Sequence, residues 1–318
     1  MNNFKKIGLT ALAASLVSVS AQAGEMSVNG GASIGVDQHS GNAGGKNITM
    51  GNQLTFTGGG ELDNGLNVSL SFVLDHADNV ASGFDSHSIT VSSDALGSIT
   101  VAGDGAGNAQ SALDTTAAGD IWNNGFKAGT TDVAYIAMAG SDASDNSVNY
   151  TLPTLVDGLS ISASYSSGGL AVDSTTAFGA TYTGVEGLSV SYGVGENGST
   201  VATTSGDVTT MKASYAIGSF TAAVSNTESD KDSTGTDEEM DSWKLSYTVS
   251  DNLSISYGEE THETSGQTVD EEFDAISVSY TTGGMTITAA NYEASGIANT
   301  TGEAGEANRW KLAASFAF

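Results

Sequence analysis

Past residue 24, apolar and polar residues alternate with a period of two. Leu159, Ile161, Ala163 and Tyr165 are interleaved with serines, as are Leu253, Ile255 and Tyr257. Trp243, Leu245, Tyr247 and Val249 alternate with Lys244, Ser246 and Thr248. Leu66, Val68, Leu70 and Phe72 alternate with Asn67, Ser69 and Ser71. A period of two places successive side chains on opposite faces of a strand, whereas a helix repeats every three to four residues. Sixteen such segments start near residues 25, 47, 66, 85, 97, 147, 159, 174, 188, 207, 219, 238, 253, 270, 285 and 304. Most run for about 8 to 14 residues, enough for a tilted strand to cross a bilayer.

The connections alternate in length. Short ones are 63–65, 93–96, 153–158, 184–186, 217–218, 250–252 and 282–284. Long ones are 38–46, 77–84, 104–146, 167–173, 196–206, 227–237, 261–269 and 294–303. Strict alternation puts the turns on one rim and the loops on the other, the order of an even-numbered up-and-down barrel. Pro153, the single proline, sits in a turn and breaks no ladder. Ser111 to Ala118 can carry a short helical turn, and Thr131 to Met138 alternates enough to be a further strand, so an eighteen-strand count stays open.

Periodicity does not say which face points inward. A soluble sandwich buries its apolar face, and a membrane barrel turns it outward. Three features favour the second. The polar face is mainly Ser, Thr and Gly, as a watery lumen requires. Aromatic residues gather toward strand ends, with Tyr182, Tyr215, Phe220, Tyr247 and Tyr280 near the turns and Tyr165, Tyr192, Trp243 and Trp310 nearer the loops. The chain also ends in a strand whose apolar face is Trp310, Leu312, Ala314, Phe316 and Phe318. The expected fold is all-β: a transmembrane up-and-down antiparallel barrel of 16 strands with short periplasmic turns and long external loops. It forms a single domain over 24–318.

Composition adds an address. Lys5 and Lys6 precede an apolar stretch from Ile7 to Val19 and a small-residue site at Ala21-Gln22-Ala23. Residues 1–23 therefore read as a cleaved secretory signal peptide. The remainder has no apolar run long enough for a membrane helix. Acidic residues number 37 against 9 basic ones, for a formal net charge of −28. Such an excess repels phosphate backbones and argues against nucleic acid. Without cysteine there is no disulfide and no thiolate metal site.

With these patterns in hand, the mature chain resembles the Gram-negative general porins. Gly97-Ser-Ile99-Thr-Val101-Ala-Gly103-Asp104 resembles the strand leading into the third porin loop. Asn146-Ser-Val148-Asn-Tyr150-Thr-Leu-Pro153-Thr-Leu155-Val-Asp-Gly158-Leu159 resembles the strand, turn and strand after it. The resemblance implies an outer-membrane homotrimer in contact with lipid and lipopolysaccharide. It also implies that the third long loop, 104–146, folds into the lumen and narrows it. Phe316 and the terminal Phe318 resemble the signal read by the outer-membrane assembly machinery. The implied function is a passive, water-filled diffusion channel for small hydrophilic solutes.

Charge placement refines this expectation. Seven acids, Glu25, Glu61, Asp63, Asp94, Asp157, Glu186 and Asp251, map to the turn rim, and the other 30 map to loops or loop-proximal strand ends. Glu228, Asp230, Asp232, Asp237, Glu238, Glu239, Asp270, Glu271 and Glu272 form the expected acidic mouth, while the lipid-facing strand faces read as nearly uncharged. A mouth of one sign concentrates counter-ions, so cation preference is expected. Lumen candidates are Asp37, Asp75, Asp104, Lys212, Lys244, Arg309 and Lys311, with Asp114, Asp120 and Lys127 on the third loop. In the resembled family, loop acids face a basic wall. Here Arg309 is the single arginine, which points to an acidic constriction.

Enzyme chemistry finds no support. No Gly-Xaa-Ser-Xaa-Gly elbow occurs in a strand–helix context, and Gly103-Asp-Gly105-Ala-Gly107 lacks the Gly-Lys-Ser/Thr of a phosphate loop. His39, His76, His87 and His262 all fall at loop ends and read as wet loop residues. No cofactor is expected beyond weak Ca²⁺ or Mg²⁺ binding at acidic loops. The competing readings are a secreted acidic β-rich adhesin or surface-layer protein, and a substrate-specific channel.

Overall fold

The computed structural model describes residues 26–40, 45–75, 85–104, 107–126, 138, 140–141, 146–168, 173–199, 205–232 and 235–318. The signal-peptide reading of 1–23, His76, Lys127 and residues 131–137 lie outside these. The strands are β1 (Met26–Ser40), β2 (Gly45–Glu61), β3 (Asn67–Asp75), β4 (Ser86–Ser93), β5 (Gly97–Asp104), β6 (Ser147–Thr151), β7 (Leu159–Ser166) and β8 (Thr175–Tyr182). They continue as β9 (Leu188–Asn197), β10 (Gly206–Ile217), β11 (Phe220–Lys231), β12 (Glu238–Ser250), β13 (Leu253–Thr264), β14 (Glu271–Thr282), β15 (Met285–Ser295) and β16 (Ala307–Ala317). Each pairs with its sequence neighbours, and β1 pairs antiparallel with β16. The barrel closes with sixteen strands, which decides against eighteen. Closure leaves no unpaired strand edge to present to hydrocarbon.

The alternation resolves into two faces. Outward positions include Met50, Ile89, Phe178, Val224 and Leu245, all exposed. All nine residues of the two expected aromatic girdles are exposed outward, and Phe220 lies 4.7 Å from Tyr247 across the β11–β12 pair. An exposed apolar belt of this extent suits contact with lipid rather than water. The inward positions of β2 through β7 are mainly Ser, Thr, Asn, Gln and Gly.

At the seam, the Phe318 amide donates to the Gly30 carbonyl at 3.0 Å, and the Gly30 amide donates back to the Phe318 carbonyl at 2.7 Å. A Cβ at position 30 would lie 2.3 Å from the Phe318 ring, so the glycine makes room for the terminal aromatic. The one described α-helix, α1 (Ile121–Phe126), lies between β5 and β6. It follows the stretch 111–118, which opens in a hydrogen-bonded turn, with Ala112 N–H donating to the Asn108 carbonyl at 3.1 Å and Leu113 N–H to the Gln110 carbonyl at 2.8 Å, and then bends.

Candidate functional site

Residues 107–126 run along the inner wall, held by hydroxyls from successive strands. Ala109 N–H donates to Ser164 Oγ at 2.9 Å, and Gln110 Nε2 to Thr210 Oγ1 at 2.8 Å. Ala117 and Ala118 N–H donate to Ser225 and Ser242 Oγ at 2.7 and 2.9 Å. Loop backbone has no ladder of its own, so inward serines and threonines supply its missing partners. Glycines on the same parity permit the approach. A Cβ on Gly179 would sit 2.4 Å from the Ala109 carbonyl oxygen, and one on Gly258 would sit 2.9 Å from Ala118 Cβ.

Glu260 on β13 anchors the helix. Its two oxygens accept from the Ile121 amide at 2.8 Å and the Trp122 amide at 2.9 Å, and Thr116 Oγ1 also donates to it. These amides are among the first of α1, which have no intrahelical acceptor. At its other end Phe126 packs on Phe273 with ring centroids 5.6 Å apart, and on Tyr292. Ala118, Ile121, Ala275, Ala294, Ile297 and Ala307 complete this apolar cluster inside the barrel. Sequence reasoning missed Glu260 as an inward residue. The signal for the cluster was legible: Phe273 and Tyr292 are aromatic on the polar parity.

The lumen candidates fall into distinct groups. Asp37 and Arg309 face inward but do not line open water. Both are buried, with Arg309 Nη2 3.0 Å from Asp37 Oδ2 and His39 Nε2 2.9 Å from Asp37 Oδ1. Arg309 Nη1 donates to the Gly125 carbonyl at 2.6 Å. His39 is therefore not a wet loop histidine. Lys212 and Lys244 hold loop carbonyls, Nζ donating to Thr115 O at 2.6 Å and Ala118 O at 3.3 Å. Lys311 faces inward at the β1–β16 seam, opposite Asp37 in register. Asp114 and Asp120 are half-buried on the loop. Burial first, then the charge of Asp120, pushes Asp114 up to about 6, with Lys212 pulling the other way. Asp75 is exposed at the loop end of β3. Asp104 ends β5, its side chain lying outside the described residues, as does Lys127. Lys212 stands within electrostatic reach of Asp114, Asp120 and Lys244. The inward parity that brings acids to the loop also brings Lys212 and Lys244 to its wall.

The expected acidic mouth is redistributed by strand register. Asp232, Asp237 and Asp270 are exposed in loops. Glu271 is buried with His262, its Oε2 3.0 Å from Nδ1, and its Oε1 accepts from the Ala298 amide at 2.6 Å. Glu238 faces inward and lies 3.7 Å from Lys231. Glu228, Asp230, Glu239 and Glu272 share the outward parity of the lipid face. Asp241, Glu259, Asp274 and Glu293 do so too. The outer face is thus charged at the loop ends of β11 to β15, against the expectation of a nearly uncharged surface. His87 is exposed. Among the described residues no three His, Asp or Glu side chains are grouped to hold a metal ion.

Residues 8–318 match the family model described as Gram-negative porin. Solved structures share the fold. An anion-selective porin from Comamonas acidovorans superposes with TM-score 0.68 at 16% identity, covering 92% of this chain and 99% of that one. A mutant of Rh. blastica porin gives 0.66 at 14% identity, covering 92% and 100%. OmpT, an outer membrane protein of Vibrio cholerae, gives 0.64 at 16% identity, covering 94% and 99%. No curated protein sequence matches the chain.

Proposed function

This chain belongs to the Gram-negative porin family, and from that premise we propose a passive, water-filled channel for small hydrophilic solutes that prefers cations. Membership makes it an outer-membrane channel and not an enzyme. The preference rests on one observation, the excess of exposed carboxylates at the loop end. Asp232, Asp237, Asp270, Glu303 and Glu306 are exposed there, while Lys231 lies beside Glu238. Among the described residues near the third loop, Lys212 and Lys244 accompany Asp114 and Asp120, so the mouth carries the sign. A low-dielectric opening of one charge raises the local concentration of counter-ions. The Comamonas protein is anion-selective by name, but at 16% identity the likeness is one of fold alone.

The same reading includes a homotrimer, removal of residues 1–23 on export, and recognition of Phe316 and Phe318 by the assembly machinery. The uncharged outward residues Val28, Ile34, Leu70, Ile89 and Ile99 offer an apolar sector for subunit contact. Residues 107–126 narrow the lumen, with Asp114, Asp120, Lys212 and Lys244 beside the passage and Lys311 further round the wall at the seam. Swelling of protein-loaded liposomes in size-matched solutes tests the proposal. Cationic solutes should enter faster than neutral ones, and neutral faster than anionic. Faster anion entry would overturn it.

A further inference from the structure

A groove of about 530 Å³ runs up the outer face of β9 to β12, walled by Tyr192 and Met211 on one side and Trp243 on the other. Its floor is the register pair Ala213 and Val224, both smaller than Met211 and Trp243 beside them. Its upper end is polar. Asn226 Nδ2 donates to Asp241 Oδ1 at 3.1 Å and to Glu239 Oε1 at 2.7 Å. Trp243 Nε1 donates to Glu259 Oε2 at 3.0 Å, and the Tyr257 hydroxyl donates to Glu259 Oε1 at 2.6 Å. These donors are all neutral. Among the described residues no lysine, arginine or histidine pairs with Glu239, Asp241 or Glu259.

We propose that this groove binds one hydrocarbon chain of an amine-bearing lipid, whose ammonium sits between Asp241 and Glu259. The apolar floor lies on the lipid parity beside Trp243, which belongs to the loop-side aromatic girdle, so the groove opens onto the outer leaflet. The rim carboxylates sit one side-chain step above it, at headgroup depth. A carboxylate there needs a counter-charge, and its neutral donors orient it without supplying one. The complement is a compact organic cation rather than a bare divalent ion. No three carboxylate or imidazole groups converge, and an ammonium needs only one or two. The ion preference of the pore has no part in this argument.

Native mass spectrometry of detergent-extracted protein, offered dioleoyl phosphatidylethanolamine or dioleoyl phosphatidylglycerol, tests the proposal. The amine lipid should be retained over the glycerol lipid by about tenfold, the scale of two partly exposed ion pairs. Val224→Trp fills the groove and should abolish retention. Val224 is already an outward apolar position, so heat-modifiable migration should report an intact barrel. The pair Asp241→Lys and Glu259→Lys should invert the preference. Equal retention of the two lipids, or retention unchanged by Val224→Trp, would overturn the proposal. So would a preference for the glycerol lipid that appears only with added Ca²⁺, since that outcome assigns the rim to metal bridging.

Discussion

Arg309 and Asp37 lie 3.0 Å apart on the inner wall, joining β16 to β1 at the seam where the barrel closes. The same guanidinium donates to the carbonyls of Gly125 and Asn124. One buried pair therefore ties barrel closure to the position of the third loop. Asp37→Asn leaves the guanidinium buried without its counter-charge. Removing one partner of a buried pair costs about 3–5 kcal/mol. The temperature at which the folded band converts to the unfolded band on a gel should fall, whereas an unchanged temperature would show that the seam does not depend on the pair.

Glu260 fixes the other end of α1. Glu260→Ala strands the amides of Ile121 and Trp122, at about 1–3 kcal/mol for each buried group left unsatisfied. The loop should loosen, and single-channel conductance should rise or become noisy. Glu260→Gln keeps one acceptor oxygen and should restore part of the closed-down behaviour. Identical conductance in all three proteins would remove the loop from the narrowest section.

Asp114 supplies a pH signature. Its carboxyl is pushed up to about 6, chiefly by burial. A raised carboxyl favours the neutral form in the folded state. Its contribution to stability is therefore full below its unfolded value and is lost as pH rises through about 6. Its negative charge enters the passage over the same interval. Reversal potentials should shift toward stronger cation preference between about pH 5 and pH 7, where ordinary carboxylates no longer titrate. Asp114→Asn should remove that step and leave the remaining preference flat.

The reciprocal Gly30 and Phe318 hydrogen bonds close the last register of the seam. Deleting Phe318 removes both, and with each bond worth about 0.5–1.5 kcal/mol the folded barrel should be weakened modestly. A much larger loss of outer-membrane protein than of refolding yield in detergent would assign Phe318 to assembly recognition. Matching losses would assign it to stability alone.

The sequence made the barrel legible because period-two alternation and turn length report directly on strand pairing. Segments expected near 207 and 219 begin at Gly206 and Phe220. The last strand begins at Ala307 rather than near 304, because Gly302–Gly305 form a 3₁₀ turn first. Side-chain roles at the loop ends were less legible. Glu259 and Glu260 are adjacent carboxylates, yet one faces outward beside Trp243 and the other is buried against α1. Only the register with β12 and β14 separates them. For the same reason Glu271 and His262 read as mouth residues but form a buried pair. Composition allowed a short helical turn at 111–118 and gave no sign of the helix itself. It forms at 121–126, where Glu260 caps amides that composition alone does not favour.

The central claim is that exposed loop carboxylates make this porin prefer cations. The most direct measurement is the reversal potential of the purified protein in a planar bilayer across a KCl gradient, taken at low and at high salt. The screening length falls from about 10 Å at 0.1 M to about 3 Å at 1 M, so a preference carried by the mouth should weaken with salt. A cation-signed potential that shrinks as salt rises is the predicted result. An anion-signed potential, or none at low salt, would contradict the account.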